Sequence, residues 1–217
     1  SNPSFQFITD GVRLFFASGT SWISGFSVVD GTKFEVKITA TDIAGNSKVL
    51  SGTDVEYTID LGLPEVISAI TGTGWDNNKA EEKTAVTTSV RVTFNEDVDA
   101  TTVQAADFTV DGAKPTDVIV GTTDGYKDKV YLTVPALAPD TKPEVIVTGE
   151  ILDLGGNAVK TGVDTAKATS NDGLKPAITV TVGQALAVDK DEVKVTVDID
   201  EKLAVDGLVI SVHGPSG

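Results

Sequence analysis

Cysteine and methionine are both absent from this chain of 217 residues, and histidine occurs only once. Without cysteine there is no disulfide framework, no thiol nucleophile and no zinc–thiolate site. Because methionine is missing even at position 1, we expect a processed or excised piece of a longer protein. The single histidine, His213, ends a predicted strand, and no Gly-x-Ser-x-Gly elbow accompanies it. We therefore expect no catalytic triad and a protein that is not an enzyme.

Positive charge is also scarce, because 17 lysines and arginines stand against 32 acids and the formal net charge is −15. No segment carries the basic stripe that neutralisation of phosphates requires, which argues against nucleic-acid binding. No apolar run approaches the roughly 18 residues of a membrane span, and no signal peptide is present. An acidic surface is compatible with solubility and with binding of divalent cations.

Period-two alternation of apolar and polar residues dominates what is present. The clearest runs are residues 34–40, 90–94, 130–134 and 193–199. Each predicts a strand with one buried face and one solvated face, as in antiparallel sheets. Six Asp-Gly pairs lie between such runs and supply the positive φ angles of tight turns. Short strands with regular turns predict an all-β protein made of two-layer sandwiches.

Two sequence landmarks recur at the same spacing along the chain. The turn from Asp42 to Asn46 returns from Asp153 to Asn157. The pair at residues 62–63, Gly-Leu, returns at residues 173–174, so the shift from 62 to 173 equals the shift from 42 to 153. We call this shift the long step. Two landmarks that share one long period predict tandem copies of a domain.

The repeat predicts a complete central domain at residues 63–173 between two partial ones. Its strands are expected near residues 65–70, 89–95, 107–110, 116–120, 129–134 and 144–149. Residues 1–62 contain a turn that falls late in the central domain, so they are expected to form the C-terminal part of a domain. Residues 174–217 are expected to form an N-terminal part, because residues 193–198 match residues 90–95. The two parts together amount to about one domain.

This complementarity has two interpretations. It is either an accident of where a longer array was cut, or a design in which the front half of one molecule completes the back half of the next. A half sandwich exposes sheet edges and an apolar face, and strand addition from a neighbour would cover both. Because such a head-to-tail contact does not have to close, its product would be a filament.

Several segments resemble a known family. Residues 34–46, followed by residues 57–64, resemble the end of the bacterial and archaeal Ig-like domains that repeat in large surface proteins. Residues 89–98 and 107–110, with the Asp153 turn, resemble the Ig-like module of S-layer proteins. The resemblance implies secretion, serial stacking of sandwiches, and roles in surface lattices, adhesin stalks or filaments.

We accordingly predict tandem Ig-like β-sandwiches that form a non-catalytic structural component of an extracellular surface array or self-assembling filament. The expected partners are copies of the chain or neighbouring Ig-like domains, bound head to tail at the cell surface. No membrane insertion is expected. The alternatives are a calcium-stiffened adhesin stalk and a carbohydrate-binding surface module.

Calcium is the main hypothesis for a bound ion, because Ca²⁺ takes six to eight oxygen ligands and could stiffen the joints between sandwiches. The candidate ligands are Asp42, Asn46, Asp60, Asp153, Asn157 and Asp172. In the alternative interpretation, Asp and Asn only cap turns by bonding to their own backbone.

For carbohydrate the candidate is Trp75, in a polar segment predicted to be a loop, where an aromatic ring could stack on a sugar. The alternative is that Trp75 packs over the end of the sandwich, since large aromatic side chains usually bury their faces. The neighbouring residues 79–83 are predicted to be a solvated connection.

Overall fold

A computed structural model describes residues 4–8, 11–15, 30–31, 33–35, 38–50, 56–183 and 193–211. The chain divides into two compact units, residues 1–62 and 63–217. His213 lies outside the described residues. The division of the sequence into one complete and two partial domains stays a prediction.

Every regular element longer than one turn is a strand in the part of the chain that the structure describes. In the first unit the strands are β1 Ser4–Ile8, β2 Gly11–Phe15, β3 Lys33–Glu35, β4 Ile38–Thr41, β5 Ser47–Leu50 and β6 Glu56–Thr58. In the second unit they are β7 Val66–Thr71, β8 Thr73–Asp76, β9 Glu81–Thr84, β10 Ser89–Phe94, β11 Phe108–Val110, β12 Asp117–Val120, β13 Lys129–Thr133, β14 Glu144–Val147, β15 Lys167–Asn171, β16 Ile178–Val182 and β17 Val195–Ile199. Single 3₁₀ turns occur at Ala105–Asp107 and Asp164–Ala166.

The central part of the second unit is a β-sandwich built from seven strands in the order β11-β14-β15-β7-β10-β13-β12. All neighbours are antiparallel except β15 and β7, which run parallel. Alternate residues from both ends of this order meet in one core, which includes Val90, Val92, Phe94, Phe108, Val110, Val130, Leu132, Val145 and Val147. The predicted all-β sandwich is therefore confirmed.

The six strands predicted for the central domain all form, as β7, β10, β11, β12, β13 and β14. The structure adds three strands that the alternation did not indicate: β15 and the hairpin of β8 and β9. Residues 79–83 are largely exposed, as predicted, but they are only in part a connection, because β9 begins at Glu81. Trp75 likewise lies in β8 and not in a loop.

The strand pairing of the first unit recurs in the second at the long step. In β3 and β6 the register is Lys33↔Thr58, Phe34↔Tyr57 and Glu35↔Glu56. In β14 and β15 it is Glu144↔Thr169, Val145↔Ala168 and Ile146↔Lys167. The long step carries every position of the first set onto its counterpart in the second, so the two strand pairs share one register.

The C-terminal hairpin of β16 and β17 ends in the same way as the pair of β7 and β10. In the central domain the Glu65 amide donates to Asn95 Oδ1 at 2.7 Å, and the Asn95 amide donates to the Glu65 carbonyl at 3.0 Å. In the hairpin the Ala177 amide donates to Asp200 Oδ1 at 2.7 Å, and the Asp200 amide donates to the Ala177 carbonyl at 3.3 Å. Asp200 thus corresponds to Asn95, whereas the sequence match assigned that place to Asp198, and the predicted alignment is wrong by two.

A tight backbone contact connects the central domain to this hairpin. The Gly173 amide donates to Thr71 Oγ1 at 3.1 Å. A Cβ at Gly173 would collide with the Thr71 carbonyl oxygen, and one at Gly72 would lie 2.8 Å from the Gly173 oxygen. Only glycine fits at these two positions, so the connection that leads to the hairpin is held against the end of β7.

Candidate functional site

The two Asp–Asn turns, which contain four of the six candidate metal ligands, have the same internal geometry. Asp42 accepts bonds from the Asn46 amide on Oδ1 and from the Asn46 side-chain nitrogen on Oδ2, both at 2.8 Å. Asp153 accepts the same two bonds from Asn157 at 2.8 and 2.9 Å. A glycine with positive φ, at position 45 or 156, completes each turn. These contacts give each Asp the role of a turn cap.

The surroundings of the two turns differ. Asp42 is exposed, and hydrogen bonds from the Asn46 side chain and backbone lower the pKa of its carboxyl group. Asp153 is only 2 % exposed, and a carboxylate oxygen of Glu96 lies within 4.8 Å of one of its oxygens. Glu96 was not among the predicted ligands, because nothing in the sequence indicates that its strand end lies beside the Asp153 turn.

The remaining two candidate ligands cap turns of their own. Asp60 Oδ1 accepts the Gly62 amide at 3.1 Å, and Asp172 Oδ1 accepts the Leu174 amide at 3.0 Å. Asp172 Oδ1 also lies 3.3 Å from the donating hydroxyl of Thr71. Turn capping accounts for the bonds to the Gly62 and Leu174 amides, whereas the bond from Thr71 ties Asp172 to the end of β7. Binding of calcium stays a prediction.

Trp75 belongs to a cluster on the outer face of the sandwich, where the hairpin of β8 and β9 covers β10 and β13. The indole is 3 % exposed, and its ring centroid lies 5.3 Å from that of Tyr126 and 5.4 Å from that of Tyr131. Glu82, opposite Trp75 in the hairpin, accepts bonds from Arg91 and from the Tyr131 hydroxyl, both at 2.8 Å. The cluster holds the hairpin on the sheet through an ion pair and aromatic packing.

A small cavity of about 140 Å³ lies beside this cluster, lined in part by Trp75, Lys83, Ile119 and Tyr131. A sugar could not stack on the indole face while its neighbours bury the residue almost completely. Sugar binding at Trp75 stays a prediction, and it requires the β8–β9 hairpin to move.

The largest difference between the C-terminal hairpin and the central domain is an exposed apolar face. Cross-strand partners share a face, and the register pairs Val180 with Val197 and Val182 with Val195. Ile178, Val180, Val182 and Val195 are each 54–58 % exposed. We call the surface formed by these four side chains the apolar strip. The sequence predicted the apolar face of a half sandwich and placed Val195 on it, within the alternating run at residues 193–199, but it did not indicate the three members from β16.

Comparison with known proteins identifies the central domain. The family model described as bacterial Ig-like domain matches residues 68–169. The matched segment runs from β7 into β15, the two strands whose parallel pairing joins the halves of the sandwich. Residues 68–169 are a bacterial Ig-like domain. No curated protein and no solved structure gives a significant match to the chain.

Ig-like domains of this family commonly occur in surface proteins, and they are generally non-catalytic. The family therefore indicates a structural or surface-associated role for the chain. Among the described residues there is no helix with the length and hydrophobicity that a membrane crossing needs.

Proposed function

We propose that this chain is a structural component of an extracellular surface array or filament, and that it associates head to tail with copies of itself or with neighbouring Ig-like domains. The observation that carries the proposal is the apolar strip. The counterparts of three of its members in the Ig-like domain, Ala69, Thr71 and Val90, are buried in the sandwich. Among the described residues no second sheet layer covers the apolar strip, so we expect a partner to cover it.

The size of the apolar strip supports association. Four half-exposed aliphatic side chains present on the order of 400 Å² of apolar surface, within the range of patches that mark interaction sites. At about 25 cal/mol per Å², covering this area contributes roughly 10 kcal/mol before the entropic costs of association. The apolar area of the strip is about half of the roughly 800 Å² that each partner buries in a stable interface. Strand pairing would add the remaining area.

The joint between the Ig-like domain and the hairpin supports a mechanical role. Gly173 is held against β7, and the Lys202 amide lies 3.3 Å from Asp140 Oδ2 of the preceding domain. Pro176 follows within the connection and restricts its backbone. A short, fixed connection transmits orientation and tension between successive domains better than a flexible linker does.

Sedimentation velocity over a range of concentrations, with electron microscopy of the largest species, tests this function. We expect the parent chain to form concentration-dependent oligomers. Val180→Asp places a charge in the apolar strip and should abolish them. Ile67→Asp is the matched control, because Ile67 is 60 % exposed on the corresponding strand of the Ig-like domain and lies outside the strip. A parent chain that remains monomeric at high concentration would refute the proposal.

Calcium binding is a second candidate function, favoured at the buried turn. The pairing of Asp153 with Glu96 provides two carboxylates close enough to share one hard cation. A cation there would stiffen the sandwich end, as in the predicted adhesin stalk. Thermal unfolding with calcium and with chelator tests it, as described in the Discussion.

A further inference from the structure

We propose that the small cavity beside Trp75 binds an organic monocarboxylate whose apolar body is no larger than a single six-membered ring. The carboxylate lies beside Lys83, and one of its oxygens accepts the indole N–H of Trp75. The apolar body lies against Val86 and Ile119, which line the same cavity. This site belongs to the Ig-like domain, so the inference does not depend on the proposed assembly.

The size and the walls of the cavity define the class of ligand. Its volume is about 140 Å³. An engineered cavity of about 150 Å³ in another protein holds one benzene molecule, so a single ring fits a space of this size. That engineered cavity is purely apolar, whereas this one combines apolar side chains with polar ones, including Lys83, Thr88 and Thr133. Mixed walls favour a ligand that has an apolar body and a polar end.

The indole nitrogen of Trp75 requires an acceptor that the described part of the chain does not provide. The residue is almost completely buried, and Nε1 has no hydrogen-bond partner among the described residues. A buried donor without a partner costs free energy, and buried tryptophans usually find one. Packing against Tyr126 and Tyr131 holds the ring in place. The donor is therefore fixed before a ligand arrives, which reduces the entropic cost of binding.

Lys83 gives the ligand its sign of charge. It is the only charged residue among those that line the cavity, and it forms no ion pair with any acid that the structure describes. Two neighbouring cations are already paired, Lys79 with Glu81 and Arg91 with Glu82. An unpaired ammonium group in a chain of net charge −15 makes this place locally attractive to an anion.

Gly74 keeps the cavity open. It is the cross-strand partner of Lys83 in the hairpin of β8 and β9. A Cβ at this position would lie 3.3 Å from Lys83 Cε and from Val86 Cγ2, and 3.5 Å from Ser89 Oγ. These neighbours also line the cavity, so a methyl group would enter the space that the ligand needs. Gly74 does not have a positive φ, and alanine can therefore replace it without backbone strain.

Proton NMR of a Trp22→Phe variant tests the site, because Trp75 then gives the only indole N–H signal. The probe is sodium benzoate, and sodium chloride at the same ionic strength is the baseline. We expect a saturable downfield shift of the indole signal, with a Kd on the order of 1 mM for a ligand of this size. Benzamide, the neutral isostere, should bind about fivefold more weakly, because it forms no ion pair with Lys83.

Three substitutions in the Trp22→Phe background locate the ligand. Gly74→Ala should abolish the benzoate-dependent shift by overpacking the cavity. Lys83→Gln should raise the Kd about fivefold, the upper limit for an exposed ion pair. Lys79→Gln is the matched control, since Lys79 lies in the turn of the same hairpin but outside the cavity, and it should leave the Kd unchanged.

Loss of binding in Gly74→Ala together with weaker binding in Lys83→Gln supports the proposal. Absence of a saturable shift up to about 20 mM benzoate would overturn it and leave an ordered water as the acceptor for the indole. Equal binding of benzamide would show that the site does not select an anion, and a shift that survives Gly74→Ala would place the benzoate elsewhere. Either result also overturns the proposal. If Gly74→Ala loosens the hairpin, the benzamide and Lys83→Gln comparisons decide the question on their own.

Discussion

The pair of β7 and β10 in the Ig-like domain and the pair of β16 and β17 in the C-terminal hairpin are strand pairs of the same kind in two environments, although the register of the first shifts between Thr93 and Phe94. Both are antiparallel and end in the same reciprocal bond between a backbone amide and an Asn or Asp side-chain oxygen. In the first pair Val90 and Val92 are fully buried, whereas Val180 and Val182 in the second are more than half exposed.

The difference shows which features are local and which need the whole sandwich. Alternation, turn residues and the terminal Asn or Asp are sufficient to define the hairpin in both places. Burial comes from tertiary packing, to which β11 and β14 of the opposite layer and several loop residues contribute in the Ig-like domain. An isolated two-stranded hairpin is marginally stable in water, so the C-terminal pair gains the most from a partner.

The largest expected effect is a contrast between truncations in the two environments. Leu132→Ala removes a fully buried side chain from the Ig-like core and should cost about 2–5 kcal/mol of unfolding free energy. Val180→Ala, in the dilute chain before any assembly, should change it by less than about 0.5 kcal/mol. Urea unfolding followed by Trp75 fluorescence in a Trp22→Phe background measures both. Equal losses would mean that the hairpin already has a buried core.

The two Asp–Asn turns give a second contrast, with a smaller effect. Asp153→Ala leaves both Asn157 donors without their buried acceptor, at a cost of about 1–3 kcal/mol in the Ig-like domain. Asp42→Ala should only accelerate amide exchange locally at the exposed turn, since water can replace the carboxylate. Hydrogen-exchange mass spectrometry of both variants separates a global loss of protection from a local one.

Sequence patterns predicted the alternating strands well, but they predicted less well how the C-terminal strand aligns with β10. The central six strands and the two turns rest on motifs that are local in the chain. The match to the C-terminal strand was misjudged by two positions, with Asp198 in the place that Asp200 occupies. Because side chains alternate with period two, a slip of this size keeps every face in place and leaves the apolar pattern unchanged. The reciprocal bonds between Ala177 and Asp200 distinguish the two alignments.

The cluster around Trp75 could not be predicted in the same way. Residues 79–83 are mostly charged, so their pattern indicated a solvated connection. In the structure Glu82 is opposite Trp75 and bonds Arg91 and Tyr131, which lie next to each other on the sheet. That arrangement depends on contacts between residues up to 49 positions apart, which no local pattern encodes.

Alkaline pH should destabilise the Ig-like domain through this cluster. The C-terminal hairpin contains no tyrosine, so it should not show this effect. Burial, and then the hydrogen bond to Glu82, raise the pKa of Tyr131 far above its ordinary value of 10.0. The folded state thus retains a proton that the unfolded state loses, so stability falls as pH rises above about 10, by about 1.4 kcal/mol per unit. Urea unfolding between pH 9 and 11, with Tyr131→Phe as the control that lacks this slope, checks the sign.

Calcium should have the smallest effect on stability. It should distinguish the two turns, because Asp153 lies beside the carboxylate of Glu96. If Asp153 and Glu96 hold Ca²⁺, a concentration equal to Kd adds about 0.4 kcal/mol, which corresponds to a melting temperature roughly 2 °C higher than in chelator. Asp153→Asn should abolish the increase, whereas Asp42→Asn, at the exposed turn, should retain it. The same melting temperature in calcium and in chelator for the parent chain would leave turn capping as the whole role of both motifs. An increase that survives Asp153→Asn would place the ion elsewhere and break the predicted difference between the buried turn and the exposed one.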